Sequence, residues 1–124
     1  MIRISTLIQL EIDGLPPTVN HMYGRRGSRT FKSLELEAWQ EWVSDMMREM
    51  WKGSEPHTGE VALSVEFQTN SQRKWDVDNR LKALIDCLAK GGIILDDRQV
   101  ASLNARRVMG LKALTKIEMK EYTG

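Results

Sequence analysis

The chain has little of what staples a fold or ligates soft metals. Of its 124 residues one is cysteine, Cys87, and two are histidine, His21 and His57. A single thiol excludes an internal disulfide, and its mid-helix setting fits a reducing, cytoplasmic compartment. No apolar run approaches about 18 residues, so no membrane span is expected. Gln9, Glu11 and Asp13 interrupt the first apolar stretch, which speaks against a secretory leader. There is no internal repeat and no low-complexity segment, and the net charge is only +1. What these absences leave is one soluble domain spanning 1–124, long enough to bury about two thirds of the surface its unfolded form exposes.

The small net charge hides an uneven distribution. Arg25, Arg26, Arg29 and Lys32 fall in a stretch without acids, as do Arg106, Arg107, Lys112 and Lys116. Arg73 and Lys74 stand close before an acidic pair. The acids gather in 35–49 and 76–97. Segregation of this kind can give a neutral chain a basic face, the footprint of a polyanion binder, although each cluster alone is also what a solvated surface looks like.

Periodicity predicts the elements. Ile8, Leu10 and Ile12 alternate with polar residues as a half-buried strand, and Gly14, Pro16 and Pro17 end it. Residues 18–32 read as a long, glycine-punctuated basic loop, of a length that is usually functional or disordered. Ser33 is the expected cap of a long helix bearing Trp39, Trp42, Val43, Met46, Met47 and Met50 as one apolar stripe, a packing face that could extend into a dimer interface. Val61, Leu63, Val65 and Phe67 alternate as a second strand. Leu81, Leu84, Ile85 and Leu88 mark a second helix ending at Gly91-Gly92, with Asp78 as its expected N-cap. Two further strand-like runs, 100–109 and 115–119, with Gly110 between them, suggest a hairpin. The expectation is an α+β fold of order β-α-β-α-β-β, a small mixed four-stranded sheet with two helices.

The chemistry concentrates in WDVDNRLKALIDCLAKGGIILDD, from Trp75 to Asp97. Asp76 and Asp78 open it, Lys82 lies one helical turn beyond Asp78, and Asp96-Asp97 close it. These acids offer only oxygen ligands, which suits Mg²⁺ or Mn²⁺ better than zinc. A carboxylate-held Mg²⁺ can activate water and polarise a phosphoryl oxygen, and a lysine one turn along can steady charge on the leaving oxygen. An EF-hand reading fails, because Arg80 and Cys87 occupy positions where such a loop needs acidic ligands. The plain alternative makes Asp78 a cap and Asp96-Asp97 a turn.

These residues carry a resemblance. Asp76, Asp78, Asn79, Lys82 and Asp86, followed by Gly92, Leu95, Asp96, Asp97 and Val100, resemble the RusA family of Holliday-junction resolvases. Pro16, Pro17 and Asn20, with Tyr23 and the arginines after it, match that family's N-terminal pattern, and the likeness spans roughly residues 8–120. It implies a Mg²⁺-dependent, structure-selective endonuclease of DNA recombination and repair, often phage- or prophage-encoded. Such an enzyme acts as a homodimer on four-way DNA, without a membrane or small-molecule cofactor. By position, the catalytic residues would be Asp76, Asp78, Lys82 and Asp97, with the three aspartates as metal ligands, Asp96 as a cap and Asp86 pairing with or orienting Lys82. DNA contacts would come from Arg25, Arg26, Arg29, Lys32, Arg73, Lys74, Trp75, Arg106 and Arg107. The approach to Asp76, QRKW, is less basic than the family's, so Trp75 either stacks on a base or simply packs. A DNA-binding protein without turnover is the alternative function. Two opposed cuts on a two-fold symmetric junction are most simply made by two chains.

Overall fold

The structure is a computed structural model that describes residues 6–17, 23–26, 29–32, 34–52, 54–71 and 77–124, with backbone alone at 23–26, 29–32 and 79. A four-stranded sheet of β1 (Thr6–Asp13), β4 (Val61–Thr69), β5 (Val100–Met109) and β6 (Leu114–Glu121) carries two helices, α1 (Leu34–Trp51) and α2 (Val77–Lys90). This is the expected α+β arrangement. One addition is a separate two-stranded ribbon, β2 (Tyr23–Arg26) paired antiparallel with β3 (Arg29–Lys32), inside the segment expected to be a loop. Its residues lack the alternation of a strand buried on one face, the signal by which such a strand is read from sequence.

The strand order is β1-β6-β4-β5. β6 pairs antiparallel with both β1 and β4, while β4 and β5 run parallel. β5 and β6 therefore do not form the expected hairpin: they flank β4 on opposite sides, and the connection between them crosses its end. Gly110 marks that crossing. Its N–H donates to Thr69 O at 3.0 Å, and a Cβ there would come within 2.3 Å of the Gln68 side chain.

The alternating residues of the sheet supply the core. Ile8, Ile12, Val61, Leu63, Val65, Phe67, Ile117 and Met119 are buried with Val43, Met47, Leu81, Leu84, Cys87 and Leu88 of the helices. Each fully buried side chain of this size contributes about 1.5–3 kcal/mol. Cross-helix hydrogen bonds fix how the helices run. Gln40 Nε2 donates to Ala83 O at 3.1 Å and an Arg48 guanidinium N–H to Lys90 O at 3.0 Å, so α1 and α2 are parallel. Gly91 lets them approach, since a Cβ there would lie 3.0 Å from both Cys87 O and Ser44 O. The buried face of α1 is Leu36, Gln40, Val43, Ser44 and Met47, whereas Trp42 and Met50 of the expected stripe are exposed. The difference arises because α1 meets α2 as well as the sheet, and the polar Gln40 satisfies itself on α2's backbone.

These directions put the chain's connections at two edges. β1, β4 and β5 run one way, and α2 returns antiparallel to β4. The ends of β1 and β4 and the start of α2 thus share one edge, and the 52–60 and 91–99 segments share the other.

Candidate active site

Asp78 lies in the first turn of α2, inside the helix rather than at the expected N-cap position. Asp78 and Lys82 are both exposed, one turn apart, so they share an outer edge of the helix. The backbone N–H groups of the first turn favour negative charge nearby. Asp86, one turn beyond Lys82, is half-buried. Asp76, with Arg73, Lys74 and Trp75, lies outside the described residues.

Arg80 is a positioning residue that the periodicity did not single out. Its guanidinium donates to Pro16 O, just past the end of β1, and burial lowers its pKa. The contact ties the proline pair to the first turn of α2. Pro16, ahead of the basic ribbon in sequence, therefore lies at the edge where Asp78 sits. Arg25, Arg26, Arg29 and Lys32 all fall on that ribbon.

Asp96 and Asp97 occupy a different place. After α2, Gly92 takes a φ of +77°, which favours glycine, and Ile93 N donates to Leu88 O. A short 3-10 helix, Asp97–Gln99, follows, with Asp96 as its N-cap. Asp96 accepts from Arg98 N at 2.8 Å and pairs with the Arg98 guanidinium at 3.1 Å. Those hydrogen bonds hold its pKa down at about 2. Asp96 is thus engaged as a cap, as read from its place, while Asp97 is exposed.

Gln99 holds this turn to the segment that leads into β4. Its Nε2 donates to His57 O at 2.7 Å and Gly59 O at 2.9 Å, and its Oε1 accepts from Leu95 N at 2.6 Å and Asp96 N at 3.0 Å. The signal for it was present in sequence, because Asp96-x-x-Gln99 is a capping box.

Within one chain Asp78 and Asp97 stand apart. From Asp78 to Lys90 the helix rises about 18 Å, and the 3-10 turn follows its far end. Oxygens sharing one Mg²⁺ lie within about 4 Å of each other. Among the described residues no three acidic, histidine or cysteine side chains are grouped to hold a metal.

The last two basic residues also part company. Arg106 pairs with Glu66 on the open face of the sheet, at 3.0 Å and 2.6 Å. Arg107 is in register with buried Phe67, so strand alternation puts it on the helix-covered face. Thus only one of the two can share a face with Asp78 and Lys82.

Comparison with known proteins shows the family. The family model described as "Endodeoxyribonuclease RusA" matches residues 13–120. The chain belongs to the RusA family. A "Crossover junction endodeoxyribonuclease RusA" of Aquifex aeolicus is 30% identical over 94 residues, 75% of this chain and 74% of that protein. Proteins of the same description from Enterobacteria phage 82 and Escherichia coli K12 are 35% and 33% identical over 88 residues, covering 68% of this chain and 70% of each. The resemblance carried by the aspartates, Lys82 and the proline pair is borne out, and a RusA nuclease acts on phosphodiester bonds. Among the described residues no helix is long and apolar enough to cross a membrane.

Proposed function

We propose that this RusA protein is a Mg²⁺-dependent, structure-selective endonuclease that resolves four-way DNA junctions as a homodimer by paired symmetric cuts. Asp76, Asp78 and Asp97 are the metal ligands, with Asp97 reaching the other two only between protomers, and Lys82 is the essential lysine. The observation that carries the reading is the placement of Asp78 and Lys82 on one exposed edge of α2, whose first turn Arg80 ties to Pro16 at the end of β1. The donor set fits a hard cation, being carboxylate oxygens only, with the one cysteine buried in the core. When bound there, Mg²⁺ supplies a nucleophile at neutral pH and Lewis-acid polarisation of the phosphoryl group.

The chain's own residues do the rest. Lys82, exposed on the same edge as Asp78, steadies charge developing on the phosphate and its leaving oxygen. The start of α2 offers backbone N–H groups to the phosphate. Arg25, Arg26, Arg29 and Lys32 on the ribbon, with Arg73, Lys74, Trp75 and Arg107, take the strands leading to the cut, mostly through phosphates. Mn²⁺ serves in place of Mg²⁺ because it accepts the same oxygen ligands.

The test is incubation with a labelled immobile four-way junction, in Mg²⁺ and in EDTA, against a linear duplex. Paired nicks on the junction, abolished by EDTA, are expected, and Asp78→Asn should bind the junction while failing to cut it. Salt-dependent binding with no nicks in either Mg²⁺ or Mn²⁺ would overturn the enzymatic reading in favour of a junction-binding protein.

A further inference from the structure

We infer that the outer face of α1 docks another protein, through a helical segment that carries a row of lysines or arginines beside a row of apolar side chains. The inference goes beyond the nuclease reading and uses none of the residues assigned to metal, cleavage or DNA.

Helices pack through the ridges that residues four apart make on their surfaces, each ridge seating in a groove of the facing helix. Outside its buried face, α1 presents two such ridges side by side. Glu37, Glu41, Asp45 and Glu49 form the first, and all four are exposed. Ala38, Trp42, Met46 and Met50 form the second, one position on, and each ridge runs about 18 Å. Trp42 is 48% and Met50 41% exposed, while Met46 is half-buried against the core.

The acidic ridge serves α1 poorly on its own account. Glu37, in the first turn, suits the positive end of the helix, but Glu41 and Asp45 lie beyond it. Glu49 falls in the last turn, where a helix favours cations. Like charges four residues apart also destabilise a helix. Arg48, the one base of α1, pairs with Asp45 at 2.5 Å. Among the described residues Glu37, Glu41 and Glu49 make no ion pair. A partner bearing cations at the same four-residue spacing relieves this repulsion.

Charge and shape identify the occupant. The acids repel a phosphate backbone and an anionic bilayer alike, so this face takes neither DNA nor membrane. A second copy's α1 is no complement, because it brings the same acids and a single arginine. A half-exposed tryptophan beside carboxylates suits a cation on an apolar stem: the stem lies along the indole while the charge reaches Glu41, Asp45 or Glu49. Tryptophan is also among the residues that most often anchor a protein interface. A short amphipathic helix, basic along one row and apolar along the next, meets both ridges at once.

Two measurements test this on the full chain, and neither reads cleavage, so failure of the nuclease reading leaves their outcome unchanged. In the first, the protein is titrated into a labelled helical peptide of about 14 residues, with lysines and leucines on adjoining four-residue rows, and into a shuffled peptide of the same composition. Saturable binding of one patterned peptide per chain is expected by fluorescence anisotropy. Trp42→Ala should weaken it about 10-fold or more, as should the double variant Glu41→Lys/Glu49→Lys. That double variant should instead prefer a peptide with glutamates in place of the lysines. Equal binding of patterned and shuffled peptides, or variants that bind as wild type does, would overturn the docking face. In the second, a photoreactive phenylalanine is incorporated at position 42 of the protein in its own host, and the cross-linked peptides are sequenced. A basic amphipathic segment of another protein is expected, and it should disappear when Glu41→Lys/Glu49→Lys is added. No cross-link, or cross-links only to DNA or to a second copy, would overturn the assignment of the partner.

Discussion

Gln99 offers a direct check on how the fold holds the Asp97 turn. Its side chain makes four hydrogen bonds, donating to His57 O and Gly59 O and accepting from Leu95 N and Asp96 N. Each is worth about 0.5–1.5 kcal/mol net, but two lie at exposed residues that water can serve after truncation, so Gln99→Ala should lose about 1–3 kcal/mol. In urea this lowers the unfolding midpoint by roughly 1 M for a domain of this size. Gln99→Glu is the sharper perturbation. It keeps an acceptor for Leu95 and Asp96 but turns a carboxylate oxygen toward two backbone carbonyls, so at neutral pH it should destabilise more than Gln99→Ala. That environment raises the introduced carboxyl's folded-state pKa above its unfolded value, near 4.3, because only the protonated form can donate. The deficit is therefore full above the folded pKa, shrinks as the pH falls through it, and is gone below about 4.3. The assay is urea unfolding followed by tryptophan fluorescence at pH 7 and pH 5. A Gln99→Ala midpoint equal to wild type, or a Gln99→Glu deficit indifferent to pH, would refute the account of this turn.

Other consequences can be measured with the same protein. Gly91→Ala puts a methyl against two backbone carbonyls that cannot rotate away, and should destabilise by about 1–3 kcal/mol in denaturant titrations. Asp96→Asn should flatten the acid limb of stability. The Asp96 pKa is depressed to about 2, so its contribution is present above its unfolded value near 3.8 and is lost as the pH falls toward 2; an unchanged acid titration would count against the Arg98 pairing. Lys82→Ala should cut the single-turnover nicking rate by about 100-fold or more with junction affinity little changed, and a normal rate would remove Lys82 from the chemistry.

Much of this protein could be read from its sequence, because local rules govern it. Alternation at Ile8–Ile12, Val61–Phe67 and Thr115–Met119 names the strands and their buried faces, since side chains flip sides at every residue. The three-and-four spacing of Leu81, Leu84 and Leu88 names the inner face of α2, and so its outer edge with Asp78 and Lys82. The aspartates, lysine and proline pair also sufficed to place the chain in its family. Tertiary structure decided what periodicity does not encode. A strand's pattern says which face is buried but not which strand lies beside it, so β6 between β1 and β4, and β5 at the edge, could not be foreseen from alternation or from Gly110. The parallel β4–α2–β5 connection likewise sets Asp78 and Asp97 at opposite ends of a helix, although both fall within twenty residues of sequence. The same alternation that defines a strand sends Arg106 and Arg107 to opposite faces, and only the register with Glu66 and Phe67 reveals which is which.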